Sequence, residues 1–346
     1  MIHGGDVYRN SIDMDFSVNV NPLGISESVK KSINNLNEFI GLYPDYKSET
    51  LVKKLSDIWN IKENGIVCGN GASELIMAVV HAIKPKKALL PVPSFYGYRH
   101  AIISCDAEVV YYYLKEENNF LIDEGIIDLV KKEDNPDLII IANPNNPTGK
   151  YIDSALLKEL LDECYKKNIT VLLDECFMEL SDERDRTMIN NIFEWDNLLV
   201  LRAFTKTFAM PALRLGYLIG ADPDKLSMIR KQLPEWNVSL VAQRAGEAAL
   251  DDISYLERAR ETIFRERRFL TKELDAIGIK TYPSSTDFIL IQTKMPLFEK
   301  LLDKKILIRS CKDFLGLDKD YYRIAIKQHD ENIKLIESIK KIAETK

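Results

Sequence analysis

The chain has 346 residues, 46% of them hydrophobic, with 47 basic and 53 acidic side chains and a net charge of -6. That length accommodates one large domain with a smaller one beside it, and the acidic balance excludes a global basic field of the kind that draws nucleic acid or an anionic membrane. The five cysteines, at 68, 105, 164, 176 and 311, are widely spaced and form no C-x-x-C pair, unlike a disulfide framework or a zinc site; no metal is expected, and the thiols suit a reducing compartment.

The first residues, MIHGGDVYRNSIDMD, mix charges and glycines where a signal peptide needs an apolar core, and no apolar run approaches membrane-spanning length. A soluble, cytoplasmic protein is expected. From about residue 65, short apolar runs alternate with helix-period segments: IVC at 66–68, ALL at 88–90, EVVYYYL at 108–114, LIIIA at 138–142, TVLL at 170–173 and LLVL at 198–201. Such runs suit strands covered on both faces, and their interleaving with helices predicts an α/β fold with a mainly parallel sheet. Between them, 72–83 places Leu75, Ile76, Val79, Val80 and Ile83 on one helical face, and the helix after Asp153 does the same with Leu156, Leu157, Leu160 and Leu161. A polar-rich helical stretch at 239–274 then leads to helix, strand (288–292), helix, strand (306–309), strand (322–326) and a final helix, an α+β pattern. The expected divisions are an N-terminal arm and part of the small domain at 1–40, a large domain at 41–245 and a small C-terminal domain at 246–346.

In open α/β sheets ligands bind outside the carboxyl ends of the strands, and four polar or glycine-bearing segments stand where strands should end. Gly69-Asn70-Gly71-Ala72-Ser73-Glu74 turns from a strand into a helix, whose first N–H groups lack partners and suit a phosphate; alone, such a turn is more often only a turn. Asn143-Pro144-Asn145-Asn146-Pro147-Thr148-Gly149 fixes the backbone with two prolines and leaves Asn146 able to donate to a phenolate oxygen. Asp174-Glu175 follows TVLL, and a carboxylate buried there calls for a cation such as a pyridinium N–H, with a helix cap or salt bridge as the plain alternative. Thr205-Lys206 follows an apolar strand and stands among Phe204, Phe208 and Met210. Desolvation there would activate the lysine amine, and Thr205 and Arg214 could complete a phosphate cradle.

Taken in order, GNGASEL, PNNPTG, LLDECF, TKTFAMPALRLGYL and YYRIAI resemble the aspartate-aminotransferase-type (fold type I) pyridoxal-phosphate enzymes over nearly the whole chain. More narrowly, HGG near the start, MDFSVNVNPLG, LYPDY, ILIRSCKDFLGLD and YYRIAI resemble the L-threonine-O-3-phosphate decarboxylase branch, which acts in cobalamin biosynthesis and is related to the histidinol-phosphate aminotransferases. The resemblance implies pyridoxal 5'-phosphate held by Lys206 as a Schiff base, Asp174 on its ring nitrogen, Asn146 on its phenolic oxygen, Phe95 stacked on the ring, and Gly71, Ala72, Thr205 and Arg214 on its phosphate. It implies that Tyr43 reaches the cofactor phosphate of a neighbouring subunit in a homodimer with shared active sites. Arg323 would pair with an anionic end of a small phosphorylated amino-acid substrate, under a loop holding Asn21 and Gly24, with Arg309, His3 and Arg9 as candidates for a second anion.

Several positions bear on the reaction. Phe177 stands where aminotransferases of the family carry a tyrosine, which resembles the decarboxylase branch; Cys176 replaces a small alanine, Ala203 replaces a hydroxyl residue, and Asp287 replaces an asparagine. The leading expectation is a lyase that decarboxylates L-threonine O-3-phosphate to (R)-1-aminopropan-2-yl phosphate. The alternative is an aminotransferase acting on histidinol phosphate or a similar amine. A cofactor-binding regulator without catalysis is a third reading, against which the complete set of Lys206, Asp174, Asn146 and Arg323 weighs.

Overall fold

A computed structural model describes residues 4–344, apart from 35 and 133–135. Its main sheet has seven strands in the order Ile66–Gly69, Gly216–Gly220, Leu198–Ala203, Thr170–Asp174, Leu138–Ala142, Lys87–Val92 and Glu108–Tyr113. All neighbours are parallel except Gly216–Gly220, which runs antiparallel to both of its partners. Every residue of Leu138–Ala142 and Thr170–Asp174 is buried, which is why these segments read as unbroken apolar runs. Separate hydrophobic clusters cover the two faces, one containing Leu160, Val171 and Leu173, the other Leu75, Val79 and Leu172. The helix Ala72–Ile83 buries Leu75, Ile76, Val79 and Val80, and Asp153 caps Ser154–Lys166 by accepting from the N–H groups of Ala155 and Leu156.

The strand Gly216–Gly220 was not among the expected elements. It has only three side chains beyond its terminal glycines, too few to show a period. Gly216 is needed for space, since a Cβ there would meet the backbone of Ala72, Arg202 and Gly71 at 3.0 Å.

Beyond residue 239 the polar helical stretch is two helices, Leu240–Leu250 and Ile253–Ala276, broken where Asp252 caps the second by accepting from the N–H of Tyr255. A four-stranded antiparallel sheet follows, ordered Arg309–Ser310, Tyr321–Ala325, Phe288–Gln292, Lys280–Thr281. The strand expected at 306–309 is divided: Ile306–Leu307 pairs in parallel with Met14–Asp15 near the N-terminus, while Arg309–Ser310 pairs with Arg323 and Tyr322. Phe16 accordingly packs in one core with Ala259, Ile291, Ile324 and Leu335. Among the described residues no helix is long and apolar enough to cross a membrane.

Candidate active site

Five parallel-running strands and one antiparallel strand bring their chemistry to a single edge. The carboxyl ends of Ile66–Gly69, Lys87–Val92, Leu138–Ala142, Thr170–Asp174 and Leu198–Ala203 lead into Ala72, Phe95, Asn146, Cys176 and Lys206, and Arg214 immediately precedes the antiparallel Gly216–Gly220. There a cavity of about 320 Å³ is lined by Ala72, Phe95, Asn146, Asp174, Thr205, Lys206, Arg214, Arg309 and Arg323 among others. Gly71 stands just behind the wall and makes room for a guanidinium: a Cβ on it would lie 2.7 Å from Arg214 Nη2. Arg214 itself adopts a left-handed backbone with φ of 55°, a conformation that costs roughly 1 kcal/mol outside glycine and tends to be kept where a site requires it.

The adjacent acids Asp174 and Glu175 point to opposite sides, as the two-residue period of a strand requires. Asp174 lines the cavity and accepts from Tyr98 OH at 2.7 Å and from the N–H of Cys176 at 2.9 Å. Burial pushes its carboxyl above the usual range, and those hydrogen bonds oppose the shift. Such a group favours a cationic partner. Glu175 instead serves the scaffold, accepting from Arg202, Thr187 and the N–H of Met188, with Arg202 also paired to Glu179 at 2.5 Å.

Lys206 lies in the helical turn Phe204–Thr207. Desolvation, then the charge of Arg323, lowers its ammonium to about 8 from 10.5. At pH 7 about one such amine in ten is free, against about one in 3000 for an ordinary lysine, so the site supplies a usable nucleophile. Arg323 donates to Asn146 Oδ1 at 2.5 Å and to the Ser17 carbonyl at 2.7 Å, both uncharged partners. That contact turns the Asn146 amide so that its N–H groups remain for another acceptor. Arg214 donates only to the Pro211 carbonyl, at 3.3 Å, and among the described residues neither it nor Arg323 has an ion-pair partner. Arg309 differs, for it donates to Asp313 and to the Ser310 carbonyl, each at 2.8 Å.

Not every expected residue reaches the cavity. The Asn21 side chain is spent on the Thr207 carbonyl at 2.9 Å and the Leu23 N–H at 3.0 Å, and its own N–H donates to the Lys206 carbonyl, so it tethers the N-terminal loop to the lysine turn. Gly24 has a φ of 70° and its carbonyl accepts from Tyr255 OH, outside the cavity wall. Tyr43 is 81% exposed and tilts against Trp236 with ring centroids 5.3 Å apart. His3 lies outside the described residues, although Gly4 lines the cavity and the N–H of Gly5 donates to Ser17 Oγ. Asp287 is fully buried and does not line the cavity.

Three wall residues that were not singled out from the sequence carry further information. Tyr98, three residues after Phe95, is placed by one helical turn over Asp174. Asn19 Oδ1 and Ser94 Oγ, like Arg323 Nε, are buried without a hydrogen-bond partner among the described residues. Orphaned polar atoms around a cavity call for a polar ligand. The Arg214 guanidinium, a buried carboxylate, a free asparagine amide, a flanking aromatic ring and an activated lysine amine fit pyridoxal phosphate, whose phosphate, ring nitrogen, phenolic oxygen, ring face and aldehyde need those partners.

The family model for aminotransferase class I and II matches residues 11–339. The threonine-phosphate decarboxylase of Salmonella typhimurium is 31% identical, with 95% of this chain and 91% of that protein aligned. The histidinol-phosphate aminotransferase structure from Clostridium acetobutylicum superimposes with a TM-score of 0.89 at 33% identity, covering 96% of this chain and all of that one. A double mutant of Thermus thermophilus aspartate aminotransferase shares the fold, with a TM-score of 0.82 at 19% identity over 97% of this chain and 94% of that one. The chain therefore belongs to the aminotransferase class I and II family and is a pyridoxal-phosphate-dependent enzyme with the aspartate-aminotransferase-like fold.

Proposed function

We propose that the protein decarboxylates L-threonine O-3-phosphate, giving (R)-1-aminopropan-2-yl phosphate and carbon dioxide for cobalamin biosynthesis. The observation that carries this reading is the electrostatics of the cavity: once Arg214 is assigned to the cofactor phosphate, the uncompensated Arg323 and the nearby Arg309 remain for two anionic ends of one substrate. Threonine phosphate has a carboxylate and a phosphate; histidinol phosphate has only the phosphate. The likeness to the Salmonella typhimurium decarboxylase along nearly the whole chain supports the same choice.

Bound pyridoxal phosphate supplies an aldehyde that condenses with an amine and a protonated ring that accepts the electron pair released when a bond to the amino carbon breaks. In this reading Lys206 carries the cofactor, Asp174 keeps its ring nitrogen protonated, Asn146 donates to its phenolic oxygen, Phe95 covers the ring, and Gly71, Ala72, Thr205 and Arg214 receive its phosphate. Arg323 and Arg309 hold the substrate's anions and so decide which bond stands perpendicular to the ring, with His3 as a further anion ligand. Phe177 gives the wall an apolar surface, packed edge-on to Phe288 with centroids 5.1 Å apart, where a tyrosine hydroxyl would otherwise offer a proton-transfer group.

We further propose a homodimer with Tyr43 acting on the neighbouring subunit's cofactor phosphate. Ile40, Leu42, Tyr43, Tyr46 and Trp236 are all exposed, an apolar surface suited to cover by a second copy.

The test is to incubate the cofactor-loaded protein separately with L-threonine O-phosphate and with histidinol phosphate, each with a 2-oxo acid as amino acceptor, and identify products by mass spectrometry. The aminopropanol phosphate is expected from the first and no keto product from the second; the reverse pattern would assign the aminotransferase reaction instead.

A further inference from the structure

The loop before Phe288–Gln292 holds a charge that the reaction scheme leaves unused. Asp287 is completely buried, its Oδ1 accepts from Thr286 Oγ1 at 3.1 Å, and its Oδ2 has no hydrogen-bond partner among the described residues. An unpaired carboxylate in such a place is costly, and a scaffold would satisfy it or replace it by an amide. Its surroundings tie it to the cavity. The N–H of Ile326 donates to the Asp287 carbonyl, which seats it beside Tyr321–Ala325, the strand that carries Arg323 into the cavity, while the N–H of Ser285 donates to the Gly149 carbonyl of the loop that carries Asn146. The neighbouring Phe288 ring packs edge-on with Phe177, and the Arg323 guanidinium lies 5.5 Å from its centroid.

We propose that Asp287 is a positioning residue for Lys206, a buried counter-charge that offsets Arg323 and Arg214 and sets the proton affinity of the nitrogen to which the cofactor binds; this rests on the reading of Lys206 as the cofactor-bearing amine.

Desolvation, then the charges of Arg323 and Arg214, lower the proton affinity of Lys206, and the charge of Asp287 raises it. Asp287 is the carboxylate of that group. Acting back on Asp287 are Lys206 and Arg323, while Arg267, whose Nη1 donates to the Thr286 carbonyl, feels its charge from the other side. Desolvation raises the Asp287 carboxyl above its ordinary range, and the charge of Lys206 and the hydroxyl of Thr286 oppose that shift. Asp287 thus ties the proton on the Lys206 nitrogen to a second buried charge.

The experiment compares wild type, Asp287→Asn and Thr286→Val, the last removing the one hydroxyl that holds Asp287 in its charged form. The pH dependence of the cofactor absorbance is recorded in the loaded proteins, and acylation of Lys206 by acetic anhydride is followed by peptide mass spectrometry in the cofactor-free proteins. In both measurements Asp287→Asn is expected to lower the midpoint by one pH unit or more, a tenfold change in proton affinity, and Thr286→Val to lower it by less. A midpoint that stays in place or rises in both measurements overturns the proposal. Should Asp287→Asn not fold, Thr286→Val decides by the same criterion. If the acylation midpoint moves but wild type forms no borohydride-fixable adduct at Lys206, the counter-charge stands and the cofactor reading of Lys206 fails.

Discussion

Tyr98 shows what a single side chain contributes to this cavity. It is buried, its hydroxyl donates to Asp174, and that bond opposes the upward shift that desolvation imposes on the carboxyl. A hydrogen bond to a charged group is worth about 1.5–3 kcal/mol, and in the proposed reading the charged Asp174 is the partner of the cofactor's ring nitrogen. Tyr98→Phe is therefore expected to weaken pyridoxal-phosphate binding by roughly tenfold or more, measured by equilibrium dialysis, with secondary structure unchanged. The placement of Lys206, Asp174, Asn146 and Arg214 on one cavity wall was legible in the sequence because each follows an apolar run that suits a buried strand or, for Arg214, lies near one in a glycine-bearing motif. Tyr98 lay one helical turn past Phe95 and was within reach of the same reasoning. The orphaned atoms of Asn19 and Ser94 were not, because no sequence pattern shows which polar groups the fold leaves unpaired.

At the scale of elements, strands buried on both faces were legible by their unbroken apolar runs, whereas those set by pairing were not. Gly216–Gly220 runs antiparallel because it completes the sheet between two strands already fixed, and the division of 306–309 follows from Met14–Asp15 arriving from the other end of the chain. Long-range partners of that kind leave no local period. A second long-range contact joins the segment after Glu108–Tyr113 to the antiparallel sheet: Glu116 accepts from Lys280 Nζ at 2.6 Å, Tyr282 OH at 2.7 Å and Tyr321 OH at 2.8 Å. The hydrogen bond from Lys280, then those from the two tyrosines, hold its carboxyl at about 2, well below the ordinary glutamate range. A depressed acid stabilises the fold above its unfolded value, and that contribution is lost as pH falls through the folded one. The Glu116 side chain is 39% exposed, so solvent screening keeps the effect small. Glu116→Gln is expected to lower Tm by about 1–2 °C at pH 7, with the difference shrinking between pH 4.5 and 2 and at high salt. A difference that persists unchanged at pH 2 would assign Glu116 a role other than charge.

For the whole molecule, the α/β class with a mainly parallel sheet was legible from the alternation of elements. The role of the N-terminal residues within the C-terminal core was legible only through resemblance. The exposed position of Tyr43 against Trp236 gives the proposed shared site a direct check. Tyr43→Ala and Lys206→Ala subunits, each inactive alone, are mixed after dissociation and reassociated. If Tyr43 acts across the interface, hybrids restore one intact site per dimer and about a quarter of wild-type activity from a statistical mixture, since half the dimers are hybrid and each has one working site. No recovery would confine Tyr43 to its own subunit.

Decarboxylation itself is tested most directly by measuring carbon dioxide released from L-threonine O-phosphate by the cofactor-loaded enzyme, with and without an added keto acid. Turnover that continues without the keto acid, with one carbon dioxide per aminopropanol phosphate formed, is the expected result. Turnover that requires the keto acid and releases no carbon dioxide would contradict it and assign the cavity to transamination.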